Sequence, residues 1–540
     1  MKFIRFLLKE AGADGWSLLA SVTVSGIAMV VTVVIVNSVA DLAPGMAPDA
    51  ERFAVFALAA FAVVSFQVYA LNLAAQIGER MVGRMRTRLA GLARRGELTG
   101  LERVGPVRVY DTIARETTTI ANAAGTIILS LTSVVALVFA AVYVATLSLL
   151  ALLVIGTLLC AWSYFHGVNR SAARAALIEA KAADARFFEL LGHLLYGFKE
   201  IKLHGPRGEE LEKLHLAGAA DEAAHRNILA ARQFSSGLGV SYTVFYMLMG
   251  SAVFILPPYL DDVRLALKII YAVMFLFNTV DSITRTFPVL TRATLALDTI
   301  EALQASLMSS VHEPPPATRN APARLESLEV RDLVYSYESG DGSSFTMGPC
   351  SLELHPGKMV FIAGANGSGK STFARVLTRL YRPSAGSILW NGRPVEDHNV
   401  QDYRGLFSAV YADFHLFDRL YGLPDADPAR VNGLLAEVGL DKRVTFADGR
   451  FSTTALSTGQ RKRLALVVAL IEDRPVYVFD ELSADQDAVF RKRFYREFLP
   501  ALKARGKTLV VISHDERYFD VADEVLVMRD GQFQREGKAP

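Results

Sequence analysis

Two hydrophobic patterns share this chain, and they change over at a proline-rich stretch beginning near Val311. Before it, long runs are apolar on every side of a helix; after it, short apolar runs alternate with turns. Six apolar segments stand out, from about Leu18 to Ala40, Phe53 to Leu73, Ala121 to Tyr143, Leu147 to Phe165, Ser236 to Pro257 and Leu267 to Phe287. Each is near the ~20 residues that cross hydrocarbon, so the pattern predicts six membrane-spanning helices. So many all-apolar helices would be hard to bury in a water-soluble core.

The connections between these segments are unequal. The first and second are joined by a short loop with Asp41, Pro44, Pro48, Asp49 and Glu51; the third and fourth meet around Ala145-Thr146; the fifth and sixth are joined by Pro258 to Asp262. On the other side, Gln76 to Thr119 and His166 to Gln233 are long and basic, with Arg80, Arg84, Arg86, Arg88, Arg94, Arg95, Arg170, Arg174, Lys181, Lys199 and Lys202. The charge bias places these connections and both termini in the cytoplasm. Ser171 to Leu195 has few glycines and no proline, so the membrane helices are expected to continue beyond the bilayer as rods. Breaks near Leu98 to Pro106 and Gly192 to Pro206 then mark the rod tips, with a short helix at each, Gly197 to Leu203 suiting the second. Asn37, Gln67, Tyr69 and Asn278 interrupt the apolar runs, Tyr242, Tyr246 and Met247 cluster in the fifth, and Asp281 and Arg285 stand four apart in the sixth. Polar groups in hydrocarbon face protein or a cavity.

The stretch Val311 to Ala323 carries three consecutive prolines, Pro314 to Pro316, and reads as a stiff linker. The expected domains are therefore a transmembrane domain over 1–310, a linker over 311–323 and a second domain over 324–540, whose motifs read as nucleotide-binding on the residues that follow. In the last, Glu329 to Tyr337 and Phe345 to Leu354 read as strands around a Gly340 to Ser343 turn. Met359 to Ala363 is a buried strand, and Phe373 to Leu380 a helix. Between them lies Gly364-Ala365-Asn366-Gly367-Ser368-Gly369-Lys370-Ser371-Thr372, a complete phosphate-binding loop in the strand-loop-helix context it requires. Its glycines turn backbone N–H groups toward phosphates and the helix start adds positive potential. Lys370 reaches the β/γ-phosphates, and the Ser371 hydroxyl holds Mg²⁺. The strand Val476 to Phe479 ends in Asp480 and Glu481: the first can support Mg²⁺ through water, and the second can orient or deprotonate the attacking water. Thr508 to Ile512 runs into His514, placed to contact the γ-phosphate and hold the acidic pair in line. Val525 to Met528 and Arg529-Asp530-Gly531 read as a strand and hairpin turn.

Composition adds limits. Apolar residues make up 51% of 540 and the net charge is only +2, so nothing argues for nucleic-acid binding. A mean hydropathy of +0.28 is high for a soluble protein. Cys160 and Cys350 imply neither a disulfide framework nor a metal cluster. The first residues, with Lys2, Arg5, Lys9 and Glu10, do not read as a cleaved signal.

On these motifs residues 324–540 resemble ATP-binding cassette domains. Leu456-Ser457-Thr458-Gly459-Gln460 looks like the family signature, with Thr458 where glycine is commonest. The resemblance makes Ser457, Thr458, Gly459 and Gln460 nucleotide-contacting, gives Tyr337 the stacking place on adenine, and casts Asp480, Glu481 and His514 as magnesium-supporting acid, catalytic glutamate and switch histidine. Ala484-Asp485-Gln486-Asp487 falls at the dimer-crossing loop. One departure stands out: Ala412 takes the place of a glutamine that normally contacts Mg²⁺ and signals to the membrane domain, with Asp413 a partial substitute. The whole chain resembles a half-transporter, an all-α six-helix transmembrane domain ahead of an α/β P-loop ATPase. Phe407 to Val410, Asp413 to Asp418, Gly197 to Glu200 and Ala484 to Asp487 look like the bacterial cyclic-peptide and siderophore exporter subfamily. The resemblance implies a homodimer in the bacterial inner membrane, with ATP and Mg²⁺ held between Lys370 of one copy and the signature of the other, exporting a peptide-type cargo by alternating access. Alternatives are lipid or multidrug export by the same engine, a cargo-free regulatory membrane ATPase, and a soluble cassette protein of translation or repair, which the six apolar runs oppose; import is less expected.

Overall fold

The computed structural model describes residues 2–39, 49–260, 263–311, 324–338 and 344–535. The loop residues Asp41, Pro44 and Pro48, the Asp261-Asp262 pair, the Gly340 to Ser343 turn and the linker from 312 to 323 lie outside the described residues. The chain divides into two compact units, Met1–Gly91 with Val104–Ser306, and Leu92–Arg103 with Leu307–Pro540. The first rod tip is thus built into the second unit.

The helices of the N-terminal half are α1 (Lys2–Ala11), α2 (Asp14–Val39), α3 (Ala50–Arg95), α4 (Leu98–Val104), α5 (Pro106–Leu147), α6 (Leu149–Tyr196), α7 (Phe198–Leu203), α8 (Gly205–Ile255) and α9 (Val263–Met308). Among the described residues 6 helices are long and apolar enough to cross a membrane, and each holds most of one of the six apolar segments, the fourth helix beginning at Leu149 and the fifth ending at Ile255. The basic stretches after Gln76 and His166 continue as helix: α3 has 46 residues and α6 has 48. At 1.5 Å per residue each runs about 70 Å, over twice the hydrocarbon thickness. Glycine and proline set the tips. Gly105 takes φ 85° and Pro106 opens α5; Gly197 caps α6 and Pro206 stands in the first turn of α8.

Polar groups join the membrane helices. Asn37 Nδ2 donates to Tyr143 Oη (3.0 Å) and to the Lys268 carbonyl (3.1 Å), tying α2 to α5 and α9. Trp162 Nε1 donates to Ser241 Oγ (2.8 Å), which also meets Thr284 Oγ1 (2.9 Å), so one hydroxyl links α6, α8 and α9. Such bonds hold helices together where water offers no competing partner. Asn37 is therefore a packing group. Arg285 Nε donates to Asp281 Oδ2 (2.7 Å), the expected pair one turn apart.

The second unit carries β1 (Leu328–Glu338), β2 (Ser344–Leu354), β3 (Met359–Gly364), α10 (Lys370–Leu377), β4 (Ala385–Trp390), β5 (Arg393–Pro394), α11 (Val400–Arg404), β6 (Phe407–Val410), α12 (Pro428–Glu437), β7 (Phe446–Ala447), β8 (Arg450–Phe451), α13 (Thr458–Glu472), β9 (Val476–Asp480), α14 (Ala488–Arg493), α15 (Leu499–Ala504), β10 (Thr508–Ile512), β11 (Glu524–Arg529) and β12 (Gln532–Arg535). An antiparallel sheet runs β2-β1-β4-β5, and a sheet with a parallel centre runs β12-β11-β3-β10-β9-β6. The central strands are buried on both faces, as parallel sheets require. Met359, Phe361, Tyr477, Phe479, Leu509 and Val511 enter one core. Val360, Ile362, Val476, Val478, Val510 and Ile512 enter the other. Helix α10 differs from its sequence expectation: it begins at Lys370, behind the left-handed Gly369, and stops at Leu377, with Arg379 at φ 58° in the following turn.

Candidate nucleotide-binding and hydrolysis site

Three adjacent parallel strands deliver the site's residues to one edge of the sheet. Strand β3 lies between β11 and β10, with Gly364 opposite Met528 and Ile362 opposite Ile512. Strand β9 follows, with Asp480 opposite Ile512. The phosphate loop, the Asp480-Glu481 pair and the Ser513-His514 pair therefore leave from the same carboxyl edge, where α/β sheets place ligands. Gly364 has φ 143°, and a Cβ there would lie 2.3 Å from the Met528 carbonyl oxygen, so only glycine lets the loop leave the strand.

The loop surrounds a cavity of about 390 Å³ lined by Asn366, Gly367, Lys370, Ser371, Thr372 and Glu481. A second cavity of about 800 Å³ is lined by Ala363 to Ser368, His514 and Arg529. Lys370 Nζ donates to the Gly364 and Ala365 carbonyls, both at 2.9 Å. Burial lowers its pKa, with Glu481 and Asp480 opposing. Ser368 Oγ and Asp480 Oδ1 are buried and have no hydrogen-bond partner. Burial raises the Asp480 pKa, while the Ser371 hydroxyl and the Ala412 N–H favour its charged form. A buried carboxylate oxygen left open beside a loop hydroxyl fits Mg²⁺, which takes few protein ligands and the rest from phosphate and water. Ser371 and Asp480 are the residues that would hold it. The ion, when bound with nucleotide, neutralises charge on the phosphate oxygens.

Glu481 is fixed from both ends. Its N–H donates to the Ile512 carbonyl (3.1 Å), and its own carbonyl accepts from Lys462 Nζ (3.1 Å). It takes φ 52°, a strained conformation for a residue with a side chain. His514 Nε2 lies 3.1 Å from Glu481 Oε1, so the two side chains predicted to act together are in hydrogen-bond contact.

The signature residues stand elsewhere. Ser457 caps α13 in a capping box with Gln460 (3.4 and 3.2 Å). Gln486 Nε2 donates to the Gly459 carbonyl (2.8 Å), and a Cβ on Gly459 would lie 2.7 Å from the Asp485 carbonyl. Lys462 Nζ bonds the Ala484 carbonyl (3.0 Å) and Asp485 (3.1 Å), and Arg463 bonds Gln486 (2.9 Å) and Asp487. The Phe490 N–H at the start of α14, then Arg463, hold the Asp487 carboxyl below its ordinary pKa. Signature and crossing loop thus form one block, but Ser457, Thr458, Gly459 and Gln460 line neither phosphate-loop cavity.

Two further placements bear on the sequence reading. Asp413 pairs with Arg375 Nη2 at 2.8 Å, and the polar contact to Asp480 comes from the neighbouring Ala412 N–H. Tyr337 is half-exposed on β1 directly opposite Phe345, and Phe345 is the aromatic that lines both cavities. Phe345, Arg375 and Lys462 were missed as parts of the site. Only the five-residue step from Lys370 to Arg375 offered a local signal, whereas the other two depend on strand pairing and helix packing.

Fold and site define an α/β P-loop ATPase domain of the ATP-binding cassette type, dependent on ATP and Mg²⁺, fused to a helical domain with six candidate spans. Residues 347–484 match the family model described as ABC transporter. The chain is 36% identical over 363 residues to the ATP-binding protein SyrD of Pseudomonas syringae pv. syringae, covering 64% of this chain and 63% of that protein. It is 31% identical over 220 residues to the ATP-dependent lipid A-core flippase of Burkholderia orbicola, covering 39% and 37%. It is 31% identical over 222 residues to the macrolide export ATP-binding/permease protein MacB of Vibrio parahaemolyticus, covering 38% and 33%. The matched stretch spans less than two thirds of each of these relatives. In fold it is similar to a bacterial Atm1-family ABC exporter with ATP bound, at a TM-score of 0.79 and 19% identity over 98% of this chain and 95% of that one.

Proposed function

We propose that the protein is an ATP-driven exporter of amphiphilic molecules, working as a homodimer in the bacterial inner membrane with both termini in the cytoplasm. The observation that carries this is the separation of the site's two halves. The phosphate loop lines both cavities, Glu481 lines one and His514 the other, and the signature at Ser457 to Gln460 lines no part of either. A second copy related by two-fold symmetry supplies the missing half to each site. In this reading Lys370 and the loop N–H groups bind phosphates, Ser371 and Asp480 face the ion, Tyr337 stacks on the base, Glu481 takes a proton from the attacking water, and His514 holds Glu481 in line. Closure of the paired cassettes shifts the membrane helices between two states.

The names of the relatives favour a lipid or a hydrophobic drug as cargo, since two of them name a lipid and a macrolide. Peptide-type cargo is the second reading, supported by the short stretches Gly197 to Glu200 and Asp413 to Asp418. Purified protein in sealed vesicles tests both. ATP-dependent accumulation of a labelled lipid, a macrolide or a cyclic lipopeptide is expected with one of the three and absent in Glu481→Gln. No accumulation of any, with ATPase intact, would favour a cargo-free ATPase.

A further inference from the structure

Behind the nucleotide site, three buried hydroxyls close a ring that the hydrolysis chemistry described above does not use. Tyr495 is fully buried, in the π-helical turn Phe494–Phe498 between α14 and α15. Its Oη lies 2.7 Å from Ser483 Oγ and 2.5 Å from Ser513 Oγ. Ser483 stands two residues after Glu481, and Ser513 immediately before His514. The two serines are 6% and 2% exposed, so water is not at hand to replace these contacts. Ser483 Oγ also donates to Asp515 Oδ2 (3.3 Å), and the Asp515 N–H donates to Ser513 Oγ (3.0 Å).

The hydrogens available fix the direction of every bond, because each hydroxyl has only one to donate. Ser483 donates to Asp515, so Tyr495 donates to Ser483. Ser513 then donates to Tyr495 and accepts from the Asp515 N–H. The ring runs from one backbone amide through three hydroxyls to the carboxylate of the same residue. A buried network of this kind is rigid when complete and costly when one member is missing. The Tyr495 ring is held too, stacked on Tyr518 at 4.5 Å and 13°. Glu481 and His514 follow different strands, β9 and β10, yet their side chains are 3.1 Å apart. Sheet pairing aligns the two chains only as far as Asp480 opposite Ile512. Beyond it they leave the sheet as turns, and Tyr495 joins those turns through Ser483 and Ser513. Tyr495 itself lines neither cavity.

We propose that Tyr495 is a positioning residue for hydrolysis: its hydroxyl ties the turn after Glu481 to the turn bearing His514 and so keeps those two side chains in contact. This rests on the reading in which Glu481 and His514 act together on the attacking water. Phosphate release by the full chain in nanodiscs, counted per site that binds a non-hydrolysable ATP analogue, tests it. Tyr495→Phe keeps the ring stack and removes the one atom that both serines meet. It should lower kcat by about tenfold and leave KM within about twofold, as expected when alignment is lost and binding is not. Ser483→Ala opens the ring from its other side and should give a similar loss, whereas Ser483→Thr, which keeps a hydroxyl, should retain most of the turnover. In a His514→Ala background the further loss from Tyr495→Phe should shrink below about twofold, because the pair it aligns is already broken; a purely structural defect would still add in full. Wild-type kcat in Tyr495→Phe, or an undiminished tenfold loss in the His514→Ala background, would overturn the proposal. Should Tyr495→Phe fail to fold, Ser483→Ala carries the same comparison. Full turnover in Glu481→Gln would remove the reading of the pair, while lost turnover there beside intact turnover in Tyr495→Phe would remove the role of Tyr495 alone.

Discussion

In the first unit, buried hydroxyls mostly return to their own helix. Thr132 donates to the Ile128 carbonyl (3.2 Å), Thr279 to Phe275 (2.9 Å) and Thr284 to Val280 (2.9 Å). In the second unit, Ser368 Oγ and Asp480 Oδ1 are equally buried, sit around one loop, and have no partner. The difference follows from what each unit meets. Lipid offers no hydrogen bonds, so a spanning helix must satisfy its polar groups internally. A phosphate loop faces an anion and a cation that can satisfy them, so open polar atoms there cost little once ligand binds. The first unit also shows unpartnered Asn37 Oδ1 and Asp281 Oδ1, but they stand on separate helices and each side chain is bonded through its other polar atom. Outer surfaces differ too: Phe53, Leu58 and Phe61 of α3 are about 70% exposed, which suits hydrocarbon and not water.

The contrast breaks most sharply at the second unit's Glu481–His514 pair. Glu481→Gln should lower ATP turnover by about 10²–10⁴-fold, the usual worth of a general base, with nucleotide binding retained. Phosphate release and equilibrium binding measure the two parts, and wild-type turnover would remove Glu481 from the chemistry. Next comes the loop backbone. Gly364→Ala forces a Cβ to 2.3 Å from the Met528 carbonyl at φ 143°, so cassette stability should fall by about 3 kcal/mol and nucleotide affinity with it. Chemical denaturation followed by near-ultraviolet signals reads this.

A smaller effect is expected from alkali, and it belongs to the cassette alone. Burial, then the Glu102 carboxylate, pushes Tyr381 up to about 12, and burial does the same for Tyr411. Unfolded tyrosine loses its proton near 10, so between these values the folded state binds more protons and stability falls as pH rises. Thermal unfolding should be flat in this contribution up to about pH 10 and drop toward pH 12, with a shallower slope in Tyr381→Phe. The smallest change is expected within the membrane unit. Ser241→Ala removes the hydroxyl shared by Trp162 and Thr284, yet should cost only about 0.6–1.7 kcal/mol, because Thr284 keeps its own helix carbonyl. Unfolding in mixed micelles checks it; a loss as large as that of Gly364→Ala would erase the contrast between the units.

Much of this could be read along the chain because the signals are local. All-round apolarity over a span's length marks a membrane helix whatever packs on it. The loop from Gly364 to Thr372 needs its glycines, lysine and hydroxyl in one unbroken stretch, and the Asp480-Glu481 pair announces itself at the end of an apolar strand. Even the tips were marked, by Gly105-Pro106 and Gly197. Less legible were the placements set by pairing across the sheet. Phe345 reaches the cavity while Tyr337 lies opposite it on the neighbouring strand, and only the register of β1 with β2 decides that.

The sequence by itself thus determined the two patterns, the six spans and the chemistry of the phosphate loop, since each needs only neighbours a turn or a strand away. The tertiary structure decided which groups meet: His514 with Glu481, Lys462 with the Ala484 carbonyl, and Tyr381 with Glu102 across 279 positions. Contacts at such separation follow from strand order and helix docking, which depend on how the whole chain buries its apolar faces, and no local pattern encodes them.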